Sequence, residues 1–154
     1  MATMYDSTEW WLIPRDAAYI AAYANGNFAA NMDDLRKMFP KTWVFMIDVL
    51  GNDPDAGVKD IETGDIRVTS VNNVVMDRHD KHPNDLIRLY MNLSTWPGVK
   101  DEVRRLSAPV QKLIRYWTAN PFTPPHIVPG SSATQYAWGK SYDTSEILAR
   151  FIQP

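Results

Sequence analysis

The segment Thr42-Trp43-Val44-Phe45-Met46-Ile47-Asp48-Val49 is continuously apolar from Trp43 until Asp48, and the turn signal Gly51-Asn52-Asp53-Pro54 follows it. A short apolar run without alternation is typical of a β-strand that is covered on both faces, as in a parallel sheet flanked by helices. A similar run, Ala18-Tyr19-Ile20-Ala21-Ala22-Tyr23, precedes it and stops at Asn25-Gly26-Asn27. The two segments therefore predict neighbouring buried strands.

Helical and extended patterns alternate along the rest of the chain. Helices are predicted over residues 31–39, 68–80 and 94–107, the first between an Asn31 cap and Pro40. Further strands are predicted over residues 57–62, 86–92, 110–118 and 133–138, and Met4-Tyr5-Asp6 adds another at the N-terminus. This alternation favours an α/β fold with parallel strands, closed into a TIM-like (β/α) barrel. Since such barrels usually need about 200 residues or more, several helices must be short or missing.

The bulk composition limits the classes of partner. A length of 154 residues is enough for one domain, which we assign to residues 1–154. A formal net charge of −2 offers no positive surface to nucleic acid or to an anionic membrane, and the absence of cysteine excludes disulfides and thiolate sites. The N-terminus lacks the basic region of a secretory signal, and no apolar stretch approaches the roughly 20 residues of a membrane span. We expect synthesis in the cytoplasm.

Acidic and amide side chains stand where apolar strands give way to loops: Asp6, Asp48, Asp60 with Glu62, and Asn92. The carboxyl ends of parallel strands meet at one edge of the sheet, so these side chains are expected to converge. Asp60 and Glu62 are two residues apart on a predicted strand and should point to the same face. Each carboxylate then raises the proton affinity of the other.

Paired carboxyl groups of this kind suit glycoside hydrolysis. One protonated acid donates to the leaving oxygen while an ionised one stabilises positive charge or activates water. The alternative is that acids at strand ends cap helices or begin turns, which is the better explanation for any one of them taken alone. We keep that explanation for Asp48.

Five ordered segments carry a family resemblance. They are Met4-Tyr5-Asp6-Ser7, DIETGD at residues 60–65, LYMNLSTWPGV at 89–99, YWTANP at 116–121 and ATQYAWGKSYDTS at 133–145. In this order and strand context, the chain resembles the family 25 glycoside hydrolases, the lysozyme-like muramidases, over almost its whole length. It is most similar to a compact branch found in actinobacteria and their phages.

The resemblance implies a role for each matched acid. Glu62 would be the general acid, Asp60 its ionised partner, Asp6 the acid at the end of the first strand, and Asp143 the acid after the last strand. The implied substrate is peptidoglycan or another glycan, with no cofactor and no metal. The candidate substrate-binding residues beside these strand ends are Tyr90, Asn92, Trp117, Gln135 and Tyr136. Core packing explains the aromatic rings among them equally well.

Other arrangements of reactive residues favour no further chemistry. His79 and His82, with Asp80 and Asp85, offer ligand types that zinc accepts, but their segment is charged throughout and is typical of a solvated helix terminus. The sequence contains neither a Gly-rich phosphate loop nor a GxSxG elbow, which excludes the usual nucleotide hydrolases and serine esterases.

Two hypotheses follow from the sequence. The first is a phage or actinobacterial muramidase that cleaves β-1,4 bonds of peptidoglycan, carried in a virion or released at lysis. The second is a non-catalytic barrel that serves as a virion or surface component and binds glycan or other virion proteins. Convergence of Asp6, Asp60, Glu62 and Asp143 in one open pocket would favour an enzyme or a glycan-binding site, whereas scattered helix caps would weaken both the assignment and the resemblance.

Overall fold

Eight strands close into a single barrel in the computed structural model, which describes residues 1–153. The strands are β1 Ala2–Asp6, β2 Tyr19–Tyr23, β3 Trp43–Asp48, β4 Val58–Asp60, β5 Ile87–Asn92, β6 Ile114–Ala119, β7 Ala133–Ala137 and β8 Asp143–Ile147. Each strand pairs with its neighbours in sequence, and β8 pairs with β1 to complete the ring. The predicted barrel is confirmed.

The strands are parallel from β1 to β7, and β8 runs antiparallel to both of its neighbours. Only residues 138–142 separate β7 from β8, which is too short for the crossover that a parallel return needs. Strand β8 was not predicted from the sequence, and the predicted parallel pairing is wrong for this strand. Asp143 therefore begins the last strand and does not follow it.

Within the described residues 1–153, five short α-helices lie between or after the strands. They are α1 Met32–Met38, α2 Val71–Lys81, α3 Trp96–Val103, α4 Ala108–Leu113 and α5 Ala149–Ile152. The connections β3–β4 and β6–β7 contain no helix, and a single 3₁₀ turn, Trp10–Leu12, lies between β1 and β2. This is the predicted shortened form of the barrel. None of the helices within residues 1–153 has the length and apolar character of a membrane-spanning segment.

The start of the predicted strand 110–118 is wrong, because residues 110–113 belong to α4 and the strand begins at Ile114. Pro109 stands in the first turn of this helix, where its fixed φ and missing N–H are tolerated. Val110 is buried against the core, and the Gln111 side chain donates to the Leu106 carbonyl. The apolar spacing of residues 110–113 fits one helical turn as well as it fits a strand, so the pattern alone did not distinguish the two.

Helix α5 closes one end of the barrel. Phe151 is fully buried in the interior cluster, with its ring 5.3 Å from that of Phe45 and 6.1 Å from that of Trp117. The Arg88 guanidinium donates to the carbonyls of Phe151 and Ile152 and lies over the Phe45 ring. These contacts lie near the amino-terminal ends of the parallel strands, so the opposite mouth of the barrel stays accessible.

Candidate active site

A cleft of about 580 Å³ opens at the carboxyl ends of the parallel strands. Five carboxyl side chains line it: Asp6, Asp60, Glu62, Asp65 and Asp143. They come from the ends of β1 and β4, the turn after β4 and the start of β8. The structure therefore brings together the four acids that the sequence singled out and adds Asp65 to them.

The turn after β4 holds three of these acids together. Strand β4 ends at Asp60, so Glu62 lies in the following turn. The prediction that Asp60 and Glu62 share a strand and point to the same face is therefore wrong. The Asp65 amide donates to the Glu62 carbonyl at 3.2 Å, and Gly64 allows the tight turn with φ of 99°. Carboxylate oxygens of Asp60, Glu62 and Asp65 consequently lie within 4.8 Å of one another.

Gln135 organises the other side of the cleft. Its Oε1 accepts hydrogen bonds from the Tyr90 hydroxyl at 2.9 Å and from Trp138 Nε1 at 2.7 Å. Because an indole N–H can only donate, this fixes the amide so that Nε2 points to the acids. Nε2 donates to Asp6 at 3.0 Å and approaches Asp143 at 3.5 Å. Asp6 and Asp143 are direct neighbours across the β1–β8 pair.

The cleft favours protonated carboxyl groups. Burial, with a smaller contribution from Asp143, raises the pKa of Asp6 to about 7, although the Gln135 hydrogen bond opposes this. Burial and then the charge of Glu62 raise the pKa of Asp60 to about 8. Burial also raises the pKa of Glu62, and the charge of Asp65 adds to it. Burial raises the pKa of Asp143, and the N–H of Gly139, which donates at 3.0 Å, offsets only part of this rise.

Asp60 differs from its expected ionised form. Its side chain is only 4% exposed, and Oδ1 is buried without a hydrogen-bond partner among the described residues. With a pKa of about 8, the carboxyl group keeps its proton at neutral pH in the free cleft. Within residues 1–153 no Lys, Arg or His forms a salt bridge with any of the five cleft acids. Protonation is thus the way in which this site limits its negative charge.

Four of the five predicted substrate-binding residues line the cleft: Tyr90, Asn92, Trp117 and Gln135. The fifth, Tyr136, does not line it. Neighbouring residues of a strand point to opposite faces, so Gln135 and Tyr136 cannot both face the cleft from β7. Asn92 also caps the next turn, because its Oδ1 accepts from the Thr95 amide at 2.9 Å. Trp117 is 1% exposed and forms part of the floor.

Other cleft residues lie outside the predicted set of acids and substrate-binding residues. They include Asp65 and the side chains Tyr23, Phe28, Leu50 and Trp138. Asp65 had one usable signal, the Gly64-Asp65 turn directly after the Asp60–Glu62 pair. Phe28 and Leu50 stand in loops, where no periodicity indicates the direction of a side chain.

The Asp60, Glu62 and Asp65 group has the oxygen ligands that hard cations such as Ca²⁺ accept. The same oxygens are the proton carriers of the cleft, so a cation and a proton would compete for them. His82, at the end of α2, instead contacts Asp55 at 2.7 Å, and within residues 1–153 no histidine belongs to a potential metal-binding group.

Comparison with solved structures identifies the architecture. The bacterial lysozyme from Streptomyces coelicolor matches with a TM-score of 0.56 and 14% identity, covering 95% of this chain and 91% of the lysozyme. This chain shares the barrel fold of that lysozyme. The Clostridium perfringens spore cortex lytic enzyme SleM matches with a TM-score of 0.53 and 13% identity, covering 96% of this chain and 67% of SleM. The resemblance to the family 25 muramidases is thus confirmed at the level of the fold. No protein-family model and no curated protein matches the sequence.

Proposed function

We propose that this muramidase-like barrel is a peptidoglycan-directed glycoside hydrolase that cleaves β-1,4 glycosidic bonds with Glu62 as the general acid. The observation that carries the proposal is the convergence of five carboxyl groups, without a cationic partner among residues 1–153, in one open cleft at the carboxyl ends of the strands. Like charges brought together in this way cost stability, and a purely structural barrel gains nothing from them. Two solved structures with a similar fold are a lysozyme and a spore cortex lytic enzyme, which supports a glycan substrate.

Accessibility favours Glu62 over Asp60 as the proton donor. A general acid must come within hydrogen-bond reach of the glycosidic oxygen. Asp60 is only 4% exposed, whereas Glu62 is partly exposed and has the longer side chain. Burial and Asp65 keep the pKa of Glu62 above its usual range, so the group holds a proton at mildly acidic pH. Asp60 then acts beneath it as a neutral, buried partner.

Asp143 is the better candidate for the ionised group. The Gly139 amide stabilises its carboxylate, and Gln135 provides a further, longer contact. In the proposed reaction Glu62 gives its proton to the leaving oxygen as the C1–O bond breaks, and Asp143 stabilises the positive charge that develops on the sugar ring. Water then adds to C1, and its proton passes to a carboxylate of the cleft.

The sequence resemblance further suggests a phage or actinobacterial source, with the protein carried in a virion or released at lysis. Actinobacterial walls are therefore the first substrate to test. The competing function is a non-catalytic virion or surface component that uses the same cleft to bind glycan. Both functions predict that the protein binds glycan, and only the hydrolase predicts that it cleaves the glycan.

Turbidity loss of purified actinobacterial cell walls tests the proposal, with wild type compared with Glu62→Gln across pH 4–8. We expect the variant to lose about 10²- to 10⁴-fold in rate, because general acid catalysis contributes an effect of that size. The matched control is Glu146→Gln, since Glu146 lies on β8 between the inward-facing Ser145 and Ile147 and does not line the cleft. Its rate should stay within about twofold of wild type.

Two results would contradict the proposal, one by rejecting hydrolysis and the other by rejecting Glu62 as the acid. One is binding of wild type to the walls without clearing at any pH, which favours the non-catalytic barrel. The other is full activity of Glu62→Gln, which removes the assigned acid. Release of new reducing ends from the walls distinguishes glycosidic cleavage from cleavage of the peptide cross-links.

A further inference from the structure

Two aromatic side chains stand exposed beside the acids. Phe122, in the loop after β6, is 80% exposed, and Trp138, directly after β7, is 52% exposed. Their rings contact edge to face, with centroids 5.4 Å apart and planes at 76°. We call this pair the aromatic wall. Burying such rings is favourable, so an exposed pair at the mouth of a cleft indicates a contact surface.

The backbone of the aromatic wall is strained. Phe122 has φ of 62° and is the one non-glycine residue within residues 1–153 with a positive φ. For a bulky side chain this left-handed conformation costs free energy, and glycine would adopt it freely. The loop is held in place nonetheless: Thr123 Oγ1 donates to the Asn120 carbonyl at 2.8 Å, and the Thr123 amide donates to the Tyr136 carbonyl. A ring is thus kept where stability alone would select glycine.

Trp138 is tied directly to the candidate active site. Its Nε1 donates to Gln135 Oε1 at 2.7 Å, and the same amide donates through Nε2 to Asp6 at 3.0 Å. The indole is therefore held in a fixed orientation at the edge of the cleft that it lines. Phe122 extends this apolar surface beyond the cleft.

The order of strands places the wall opposite a second apolar pair. Phe28 follows β2 and Leu50 follows β3, and these side chains are 56% and 60% exposed. In a closed ring of eight, β2 and β3 lie across the mouth from β6 and β7. The turn after β4, which carries Glu62, lies between the two apolar sides. A chain bound across the mouth would contact both sides and pass over the acids.

We propose that the aromatic wall is a sugar-binding subsite of the cleft. It stacks against one pyranose ring of the bound glycan chain, and the glycosidic bond next to that ring is presented to Glu62. This inference rests on the proposed function. The apolar face of a pyranose suits an aromatic ring, and the hydroxyl groups at its edge suit the amide and carboxyl groups nearby. An anionic lipid or nucleic acid is disfavoured because the cleft adds only negative charge.

The replacement Phe122→Gly removes both the aromatic ring and the backbone strain, and two measurements distinguish these effects: ligand affinity reports on the ring and melting temperature reports on the strain. Binding is measured by calorimetric titration with chitotetraose, a soluble β-1,4-linked N-acetylglucosamine chain, in a Glu62→Gln background that does not consume it. We expect Phe122→Gly to weaken binding by roughly 3- to 10-fold, the usual value of one aromatic contact. Its melting temperature should equal or exceed that of the parent, since glycine removes the strain.

Two further variants complete the design. Trp138→Ala should weaken binding at least as much as Phe122→Gly, because it removes the member of the wall that lines the cleft. Trp43→Ala is the control, since Trp43 is a 50% exposed aromatic residue at the amino-terminal start of β3, away from the cleft. Its affinity should match that of the parent.

The results distinguish this inference from the proposed function. Weaker binding in Phe122→Gly supports the subsite even where wild type fails to clear walls, and that failure alone would reject the hydrolase. Unchanged affinity in Phe122→Gly, or an equal loss in Trp43→Ala, overturns the subsite even where wild type clears walls. Failure of the parent to bind chitotetraose also overturns it and leaves a protein partner as the occupant of this surface.

Discussion

Two buried aspartates at neighbouring strand ends have opposite electrostatics. Asp48 accepts hydrogen bonds from the Lys59 ammonium at 2.8 Å, from Asn25 at 2.7 Å and from the Gly51 amide at 2.7 Å. These donors keep the pKa of Asp48 below its usual range despite burial. Asp60 has no cationic partner in the part of the chain that the structure describes, and its pKa is raised to about 8. Asp48 therefore stabilises the fold, as the sequence suggested, whereas Asp60 keeps its proton at neutral pH.

Asp65 should set the alkaline limit of activity. Its charge adds to burial in raising the pKa of Glu62, so Asp65→Asn should lower that pKa. Glu62 would then lose its proton at lower pH, and the alkaline limb of the pH–rate profile for wall clearing should move in the same direction. At mildly acidic pH, where Glu62 stays protonated, the rate should remain within about twofold of wild type. An unmoved alkaline limb would show that Asp65 does not act on the proton donor.

At the scale of the elements, strands β3 and β4 are joined by an ion pair in addition to their backbone ladder. Lys59 is 1% exposed and Asp48 is fully buried, and the Lys59 ammonium also donates to the Asp53 carbonyl. Lys59→Met should lower the free energy of unfolding by about 3–5 kcal/mol, because it leaves the buried Asp48 charge without its counter-ion. Urea unfolding measures this loss.

A double variant provides the control for the ion pair. Asp48→Asn in the Lys59→Met background removes the stranded charge, so the double variant should be more stable than Lys59→Met alone. Additive losses would mean that the two side chains act independently, contrary to the 2.8 Å contact.

Sequence patterns predicted the elements that bury an apolar run and missed those that do not. Strand β3 and helix α1 were identified because burial or a cap leaves a clear signature, and Asn31 does cap α1 by accepting from the Asp33 and Asp34 amides. Strand β8, with the sequence DTSEI, buries only Ser145 and Ile147 and has no apolar run to recognise. Its pairing depends on long-range closure of the ring, which local periodicity does not record.

The candidate site was predictable to the extent that it depends on strand ends. Parallel strands carry Asp6 and Asp60 to one edge, so their convergence followed from the fold class. The aromatic wall could not be predicted in the same way, because Phe122 and Trp138 meet through loops and a left-handed backbone that has no sequence signature. The positions of Asp6 and Asp60 are thus recorded in local sequence patterns, whereas the aromatic wall depends on how the loops fold over the mouth.

At the scale of the whole molecule, the carboxyl groups of the cleft oppose the folded state as pH rises. The pKa is raised for all five cleft acids, so the folded state holds protons that the unfolded chain has already released. This contribution is complete below the ordinary aspartate value of about 4 and is lost as pH rises through the folded value of Asp60, about 8. Asp48, with its lowered pKa, acts oppositely and loses its stabilising effect as pH falls below about 4.

The melting temperature should therefore be highest near pH 4–5 and fall steadily towards pH 9. Asp60→Asn removes the carboxyl group with the highest pKa in the cleft, about 8. The free energy of unfolding of this variant, relative to that of wild type, should therefore increase over the same pH range, by about 1–3 kcal/mol at pH 9. Thermal unfolding followed by circular dichroism measures both curves. Asp101→Asn, an exposed aspartate on α3 outside the cleft, is the control and should follow wild type. If Asp60→Asn gains nothing at pH 9, burial of Asp60 carries no electrostatic cost, and the cleft would have no need to hold a proton.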